Sequence, residues 1–445
     1  MSVIPGDRRT FYQLLGNTVL VSVVNSTAWF AITFYVYLQT RSVFATGVIS
    51  GIFLVMTASS GIWFGSLVDH HAKKTMMQVS ALASLLLYAG ALGIYLAVPE
   101  ETFTDPGSVV LWVMVVLLMV GVIVGNIRTI ALPTLVTLLI PEEGRDRANG
   151  LVGSSTGVSF LVTSVFSGAL VAIGGMYWVL VLSLAVLAVA LLHLAVVRVP
   201  ERPEVSEDAP KRSVDLRGTM RLVGEVPGLT ALILFSAFNN FLGGVFMALM
   251  DPYGLSLVPV QVWGLLWGVL STGFIVGGLL VSRTGLGRNP VKVLLLVNLV
   301  LWGVTLLFPL RSSIVLLAVG MYAYMLLVPY AEAAEQTILQ KVVPYERQGR
   351  VFGFAQSVEQ AASPLTAFLI SPIAQFAVIP FMTDGAGAET IGDWFGTGTD
   401  RGLALIFMAV GVIGLIATAV ALRSRPYRRL SHRITRPVNP EPSLP

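Results

Sequence analysis

Cysteine is absent from this 445-residue chain, which excludes disulfides, zinc–thiolate sites and thiol nucleophiles. Charge is scarce too. Asp, Glu, Lys and Arg make up 12% of the residues, about half the share in a water-soluble globular domain. Histidine is limited to four residues, and His70 and His71 sit together in a basic loop, so no metal centre is expected. No glycine-rich segment leads into Lys-Ser or Lys-Thr, which leaves no phosphate-binding loop for ATP. The acids Asp384, Glu389, Asp393 and Asp400 are loosely spaced among glycines and read as a solvated loop. Neither an enzyme nor a cofactor is expected.

What the chain has is apolar length: 55% of its residues are hydrophobic and its mean hydropathy is +0.81. A helix rising about 1.5 Å per residue needs about 20 apolar residues to cross roughly 30 Å of hydrocarbon. Runs of that length recur here, whereas barrel strands are about ten residues long and alternate in polarity. The fold class is therefore all-α and polytopic. The apolar stretch from Phe11 to Leu38 is longer than a signal-peptide core and reads as a retained first span.

Charge-poor runs place six spans at 12–38, 43–68, 75–98, 108–140, 149–173 and 176–197, and six more at 227–250, 258–282, 291–309, 314–342, 350–377 and 402–422. This predicts a first six-helix bundle over 1–197, a polar linker over 198–226, a second bundle over 227–422 and a basic tail over 423–445. Alternating the spans puts 24 of the 28 Lys and Arg residues on one side and only Arg41, Arg311 and Arg401 on the other, with Arg128 inside a span. Basic residues stay on the cytoplasmic side, so both termini are expected there, in a multi-pass protein of the cell membrane. The basic tail is expected to touch lipid headgroups rather than nucleic acid. A monomer is expected.

The two halves also resemble each other. The segment "PEEGRDRANG" (Pro141 to Gly150) follows the fourth span and "PYERQGRVFG" (Pro344 to Gly353) the tenth, while "GSLVDH" (Gly65 to His70) matches "GLLVSR" (Gly278 to Arg283). Two matches in consistent order argue for a duplicated six-helix unit. Small-residue pairs Gly47/Gly51, Gly61/Gly65, Gly121/Gly125, Gly264/Gly268 and Gly273/Gly277 mark candidate close helix contacts.

Polar side chains are costly in lipid, so polar stripes should mark faces turned to a cavity or a neighbouring helix. The first span carries Asn25 and Trp29 on one face, the seventh Asn239 and Asn240, the tenth Glu332, Glu335, Gln336 and Gln340, and the eleventh Gln356, Glu359 and Gln360. Asn25, Trp29, Asn239, Asn240, Gln336 and Gln360 are read as candidates for a substrate cavity, the alternative being glue between helices through hydrogen bonds. Arg128 lies 13 residues before Pro141 and Glu332 lies 12 before Pro344. Each is thus about 18 to 20 Å from its proline, and the two are placed to face each other across a cavity. One Arg cannot neutralise Glu332, Glu335 and Glu359 in a low dielectric, so at least one of these acids should exchange a proton near neutral pH. The alternative is a permanent salt bridge between the halves.

The loop Gly65-Ser-Leu-Val-Asp69-His-His-Ala-Lys73-Lys74 resembles the signature loop of the major facilitator superfamily, Gly-x-x-x-Asp-Arg-x-Gly-Arg-Lys, with His70 in place of the Arg and Ala72 in place of the second Gly. The resemblance extends over the twelve spans, the linker and the repeat. It implies two pseudo-symmetric six-helix bundles and a conformational latch formed by Gly65, Asp69, Lys73 and Lys74. The segments "GRVFG" and "RANG" look like those of drug:proton antiporters related to macrolide and tetracycline exporters. Arg128 is similar to the fourth-helix Arg of that group, although Ala131-Leu132-Pro133 replaces the usual Gln-Gly continuation. The reading is a secondary transporter that exports amphipathic small molecules in exchange for protons. A nutrient or siderophore-related importer, an uncoupled facilitator and a non-transporting receptor are the alternatives.

Overall fold

The computed structural model describes residues 8–40, 43–200 and 216–435, without the side chains at 37, 43–48, 50, 51, 54, 164–169, 171–174, 260 and 261. Arg41, Arg202, Lys211, Arg212 and Arg436 of the charge count lie outside the described residues, and the Gly47/Gly51 pair falls where only the backbone is described. Nearly everything described is helical. In order these are α1 (Arg8–Thr40), α2 (Val43–His70), α3 (Lys73–Ala97), α4 (Val109–Gly125), α5 (Ile127–Leu139), α6 (Arg145–Val196), α7 (Leu216–Glu225), α8 (Leu229–Leu257), α9 (Val260–Thr284), α10 (Pro290–Leu307), α11 (Ile314–Val342), α12 (Gln348–Ile373), α13 (Ile379–Thr383), α14 (Ala386–Phe395), α15 (Thr399–Arg423) and α16 (Arg425–Thr435). Helix starts follow local chemistry. Ser108, Asn289 and Ser313 each accept a bond from a first-turn amide, and Pro290 occupies a first-turn position where no amide is needed.

Three elements depart from the expected spans. The span expected over 108–140 breaks at Asn126 into α4 and α5. There Gly125 presses so close to the Asn25 amide of α1 that no side chain fits. The fifth and sixth spans run as α6, 52 residues long, about 78 Å at helical rise and too long for one crossing. Gly175 resolves this with a φ of +58°, a conformation glycine adopts without strain. Gly150 in α6 packs on Val281, Gly175 on Tyr95 and Tyr35, and His193 reaches Asn17. The chain thus goes out and returns. The eleventh span runs on past 377: α12 passes at Ala374 into a wider turn that continues without a break through α13 to Thr383.

The helices form two halves joined along two seams. In one, α2 meets α12: Gly65 stands against the backbone of Gly349 and Gly353, and Gly61 against Gly353 and Ser357. In the other, α9 meets α6, with Gly278 against Gly150 and Ser154. These are the segments the internal repeat pairs, so the duplication builds both seams from small residues that let backbones touch. Of the other expected pairs, Gly121/Gly125 and Gly273/Gly277 do make close contacts, whereas Gly264 and Gly268 face open space.

Apolar packing separates the two faces of the molecule. At the face that carries both described chain ends, one core cluster takes residues from both halves, among them Phe64, Ile130 and Leu135 with Val281, Ile338 and Phe352. Toward the opposite face the packing splits. One cluster around Tyr35, Tyr88 and Met119 belongs wholly to the first half, and another around Tyr253, Phe308 and Phe407 wholly to the second.

Candidate functional site

The shared face is closed by polar ties between the halves. The Asp69 carboxylate, at the end of α2, accepts from the Gly349 and Arg350 backbone amides at 2.6 and 2.9 Å and from Arg350 Nε at 3.0 Å. It therefore sits on the N-terminus of α12, where unpaired amides and the helix dipole favour a negative charge. Lys73, buried, lies 4.8 Å over the Tyr345 ring. Asn149 Nδ2 donates to Thr337 Oγ1 and Gln340 Oε1, both at 2.9 Å, and Gln340 Nε2 donates to the Pro133 carbonyl at 2.9 Å. Lys341 pairs with Glu142 at 3.2 Å, and the Leu286 amide donates to Asp146 Oδ2 at 2.7 Å. Asn149 and Asp146 were not singled out from sequence, although the repeat places both in a segment whose counterpart holds Gly349 and Phe352.

Deeper in, three acids gather in the second half. Glu332 and Glu335 lie one turn apart on α11. Glu335 meets the carboxyl of Glu359 from α12 and the Ser236 hydroxyl from α8. Glu332 is close enough to act electrostatically on both other acids. It stays solvent-accessible although deep among the helices, as expected of a residue on a cleft wall. Across from it is Gly153 of α6: a Cβ there would stand 3.9 Å from Glu332 Oε2. Buried oxygens of Glu335, Gln336 and Glu359 accept no hydrogen bond. Among the described residues the ion pairs are Lys341–Glu142, Arg350–Asp69 and Arg401–Asp400, and none reaches the three acids. Gln360 is half-buried next to Glu359 in sequence, and Asn240 on α8 is exposed. An apolar hollow of about 500 Å³ between α9 and α11 shares no lining residue with this cluster.

Arg128 is not the partner of these acids. It is 1% exposed on the first-half side, where NH1 donates to Asn17 Oδ1 at 2.7 Å and NH2 to the Met77 carbonyl at 3.0 Å. Its depth matches the expectation, but its direction does not: it turns toward α1 and α3 instead of across the molecule. Asn17 in turn donates to the Ala190 carbonyl at 2.8 Å and stands 3.2 Å from His193 Nδ1. Asn25 is also corrected. At 8% exposure, its Oδ1 accepts from Tyr88 at 3.0 Å, so it ties α1 to α3 and lines no cavity. Asn239 is half-buried and likewise committed, accepting from Trp302 Nε1 at 2.8 Å and donating to the Phe235 carbonyl at 2.7 Å. Trp29 is half-buried and stacks on Phe53 with centroids 3.8 Å apart. At this depth the halves are tied by Gln356 Nε2, which donates to Thr129 Oγ1 at 2.9 Å, and by Ser154 Oγ, which donates to the Ile275 carbonyl at 3.3 Å.

Macrolide efflux protein A of Streptococcus pyogenes is 24% identical over 371 residues, which cover 81% of this chain and 88% of that protein. Among solved structures, a bacterial homologue of the iron transporter ferroportin in an outward-facing state aligns with a TM-score of 0.69 at 14% identity, covering 93% of this chain and 100% of the other. The proton:xylose symporter XylE, bound to 6-bromo-6-deoxy-D-glucose, aligns with a TM-score of 0.67 at 13% identity, covering 94% and 97%. At such identities the likeness is one of fold, that of twelve crossing helices. A family model described as Major Facilitator Superfamily matches residues 14–367, and the chain accordingly belongs to that superfamily, whose members are transporters and not enzymes.

Proposed function

We propose that this transporter exports amphipathic small molecules across the cell membrane in exchange for protons. The observation that carries the reading is the set of three acids, Glu332, Glu335 and Glu359, brought together deep in the second half with no ion pair to any of them among the described residues. Three like charges in a low dielectric repel strongly, and a proton held by the Glu335–Glu359 pair removes most of that cost. A cluster that is stable only with a bound positive charge can exchange a proton for a substrate. Each proton moving down the membrane potential supplies about 2.3 kcal/mol per 100 mV.

The relative named for macrolide efflux supports export and an amphipathic cargo. The charge asymmetry supports a cytoplasmic side for the sealed face, which carries both described chain ends, and in this reading the conformation is outward-facing. The halves 1–197 and 227–422 are the bodies that rock, and Gly65, Asp69, Lys73 and Lys74 hold the cytoplasmic seal. Glu332, Asn240, Gln336 and Gln360 meet the cargo, with Trp29 as an aromatic wall. Arg128, through Asn17, fixes the packing of the first half rather than carrying protons.

Inside-out vesicles test the direction and the coupling. With an acidic lumen, a fluorescent amphipathic dye accumulates inside in the presence of the protein, and a protonophore abolishes the accumulation. Uptake that merely equilibrates and ignores the gradient identifies a facilitator and refutes the proposal.

A further inference from the structure

The chain past α15 is a fixed cationic platform. Within α16, Tyr427 and Leu430 are buried, and the Tyr427 hydroxyl donates to the Ala231 carbonyl of α8 at 2.6 Å. Leu430 and the Pro426 carbonyl close over Gly228, which has a positive φ of 88°. Asn289 Nδ2, at the start of α10, donates to Ser431 Oγ at 2.7 Å. With its apolar side spent on the protein, α16 turns Arg425, Arg428, Arg429, His432 and Arg433 to solvent. Arg423, Arg288 and Lys292 are exposed at the neighbouring helix ends. No acidic residue occurs between Asp400 and Glu441, and none of these cations forms an ion pair among the described residues.

The position of the platform limits what it can meet. The helix packs where α8, α10 and α15 end, and α10 and α15 carry exposed Leu296, Val300, Ile416 and Val420, the apolar belt of a membrane-crossing protein. Packed on α8 and α12, α7 is anchored by the bond from Thr230 Oγ1 to the Val223 carbonyl at 3.2 Å, and exposes Leu216 and Met220 together with Arg217 and Arg221. Apolar side chains flanked by arginines on a short amphipathic helix are suited to the boundary between headgroups and acyl chains. We infer that α16 and α7 form a docking surface for anionic phospholipid headgroups, and that these lipids bind and stabilise the second half of the transporter. Exposed cations on helices that pack at the end of a membrane-crossing bundle suit the phosphates of headgroups, and each contributes attraction that falls off within a Debye length.

The full chain is reconstituted in vesicles of equimolar phosphatidylglycerol and phosphatidylcholine, extracted gently, and its co-purifying lipid measured by mass spectrometry. Phosphatidylglycerol is expected to be enriched over phosphatidylcholine by about tenfold, and to raise the unfolding temperature relative to protein from pure phosphatidylcholine. Changing Arg428, Arg429 and Arg433 together to Gln removes both effects, whereas changing them to Lys keeps both. Absence of enrichment in the unaltered protein, or equal enrichment in the Gln variant, overturns the inference. So does displacement of the lipid by free inorganic phosphate, which would assign the surface to a soluble anion. Should the Gln variant not fold, the unaltered protein decides alone, since enrichment that survives high salt is not electrostatic.

Discussion

At Arg128 a cation is buried with no ion pair among the described residues, held by one amide oxygen and one backbone carbonyl while its Nε has no hydrogen-bond partner. Asn17→Ala leaves one arm of that guanidinium unpaired in the interior, so a loss of about 2 kcal/mol is expected, read as a lower unfolding temperature in detergent. Arg128→Lys does not restore it, because a single ammonium cannot span both acceptors in the fork geometry. The acids predict the opposite pattern. Glu335→Gln or Glu359→Gln relieves repulsion, so folding stability is kept or raised while pH-gradient-driven export is lost. A drop in stability with transport intact would assign these acids a packing role. Sequence placed Arg128 and Glu332 at the right depth because helical rise is fixed. It could not give the side-chain direction, since an Asn on α1 competes equally well for a guanidinium. For the same reason Asn25 and Asn239 read as cavity residues when their amides are committed to Tyr88 and Trp302.

The helices themselves were largely legible, because charge-poor runs of bilayer length admit few alternatives. What hydropathy could not show were the breaks set by contacts between helices, such as the one at Asn126, where Gly125 meets Asn25. Nor did it show that polar stretches would fold as α7 and α16, whose stabilising partners lie on α8 and α10. The glycine seams were foreshadowed by the repeat, and they carry a sharp prediction. A Cβ at Gly353 would run into the Gly61 carbonyl, so Gly353→Ala should prise α2 from α12. The chain has no cysteine, so a single thiol introduced as Ala148→Cys in the shared core reports the opening without background. Labelling of that thiol by a maleimide is expected to rise about tenfold in the Gly353→Ala protein, and an unchanged rate would mean that the seam yields elsewhere.

For the molecule as a whole, one core and several polar ties close the face that bears the described chain ends, while the packing divides toward the other. Asp69 contributes to that closure through three bonds to the start of α12. Asp69→Asn removes the charge that attracts Arg350 and the dipole of α12, and should shift the population toward a conformation open at the terminal face. Spin labels on paired introduced cysteines should then show longer distances between the halves at that face and shorter ones at the opposite face. The central claim is that the acid cluster trades a proton for cargo. Its most direct test is a pH-indicator measurement on purified protein in weak buffer as the amphipathic dye is added. About one proton should be released per dye molecule bound, and none by the variant carrying Glu335→Gln and Glu359→Gln together. Dye binding without proton release by the unaltered protein, or the same release from the variant, would contradict it.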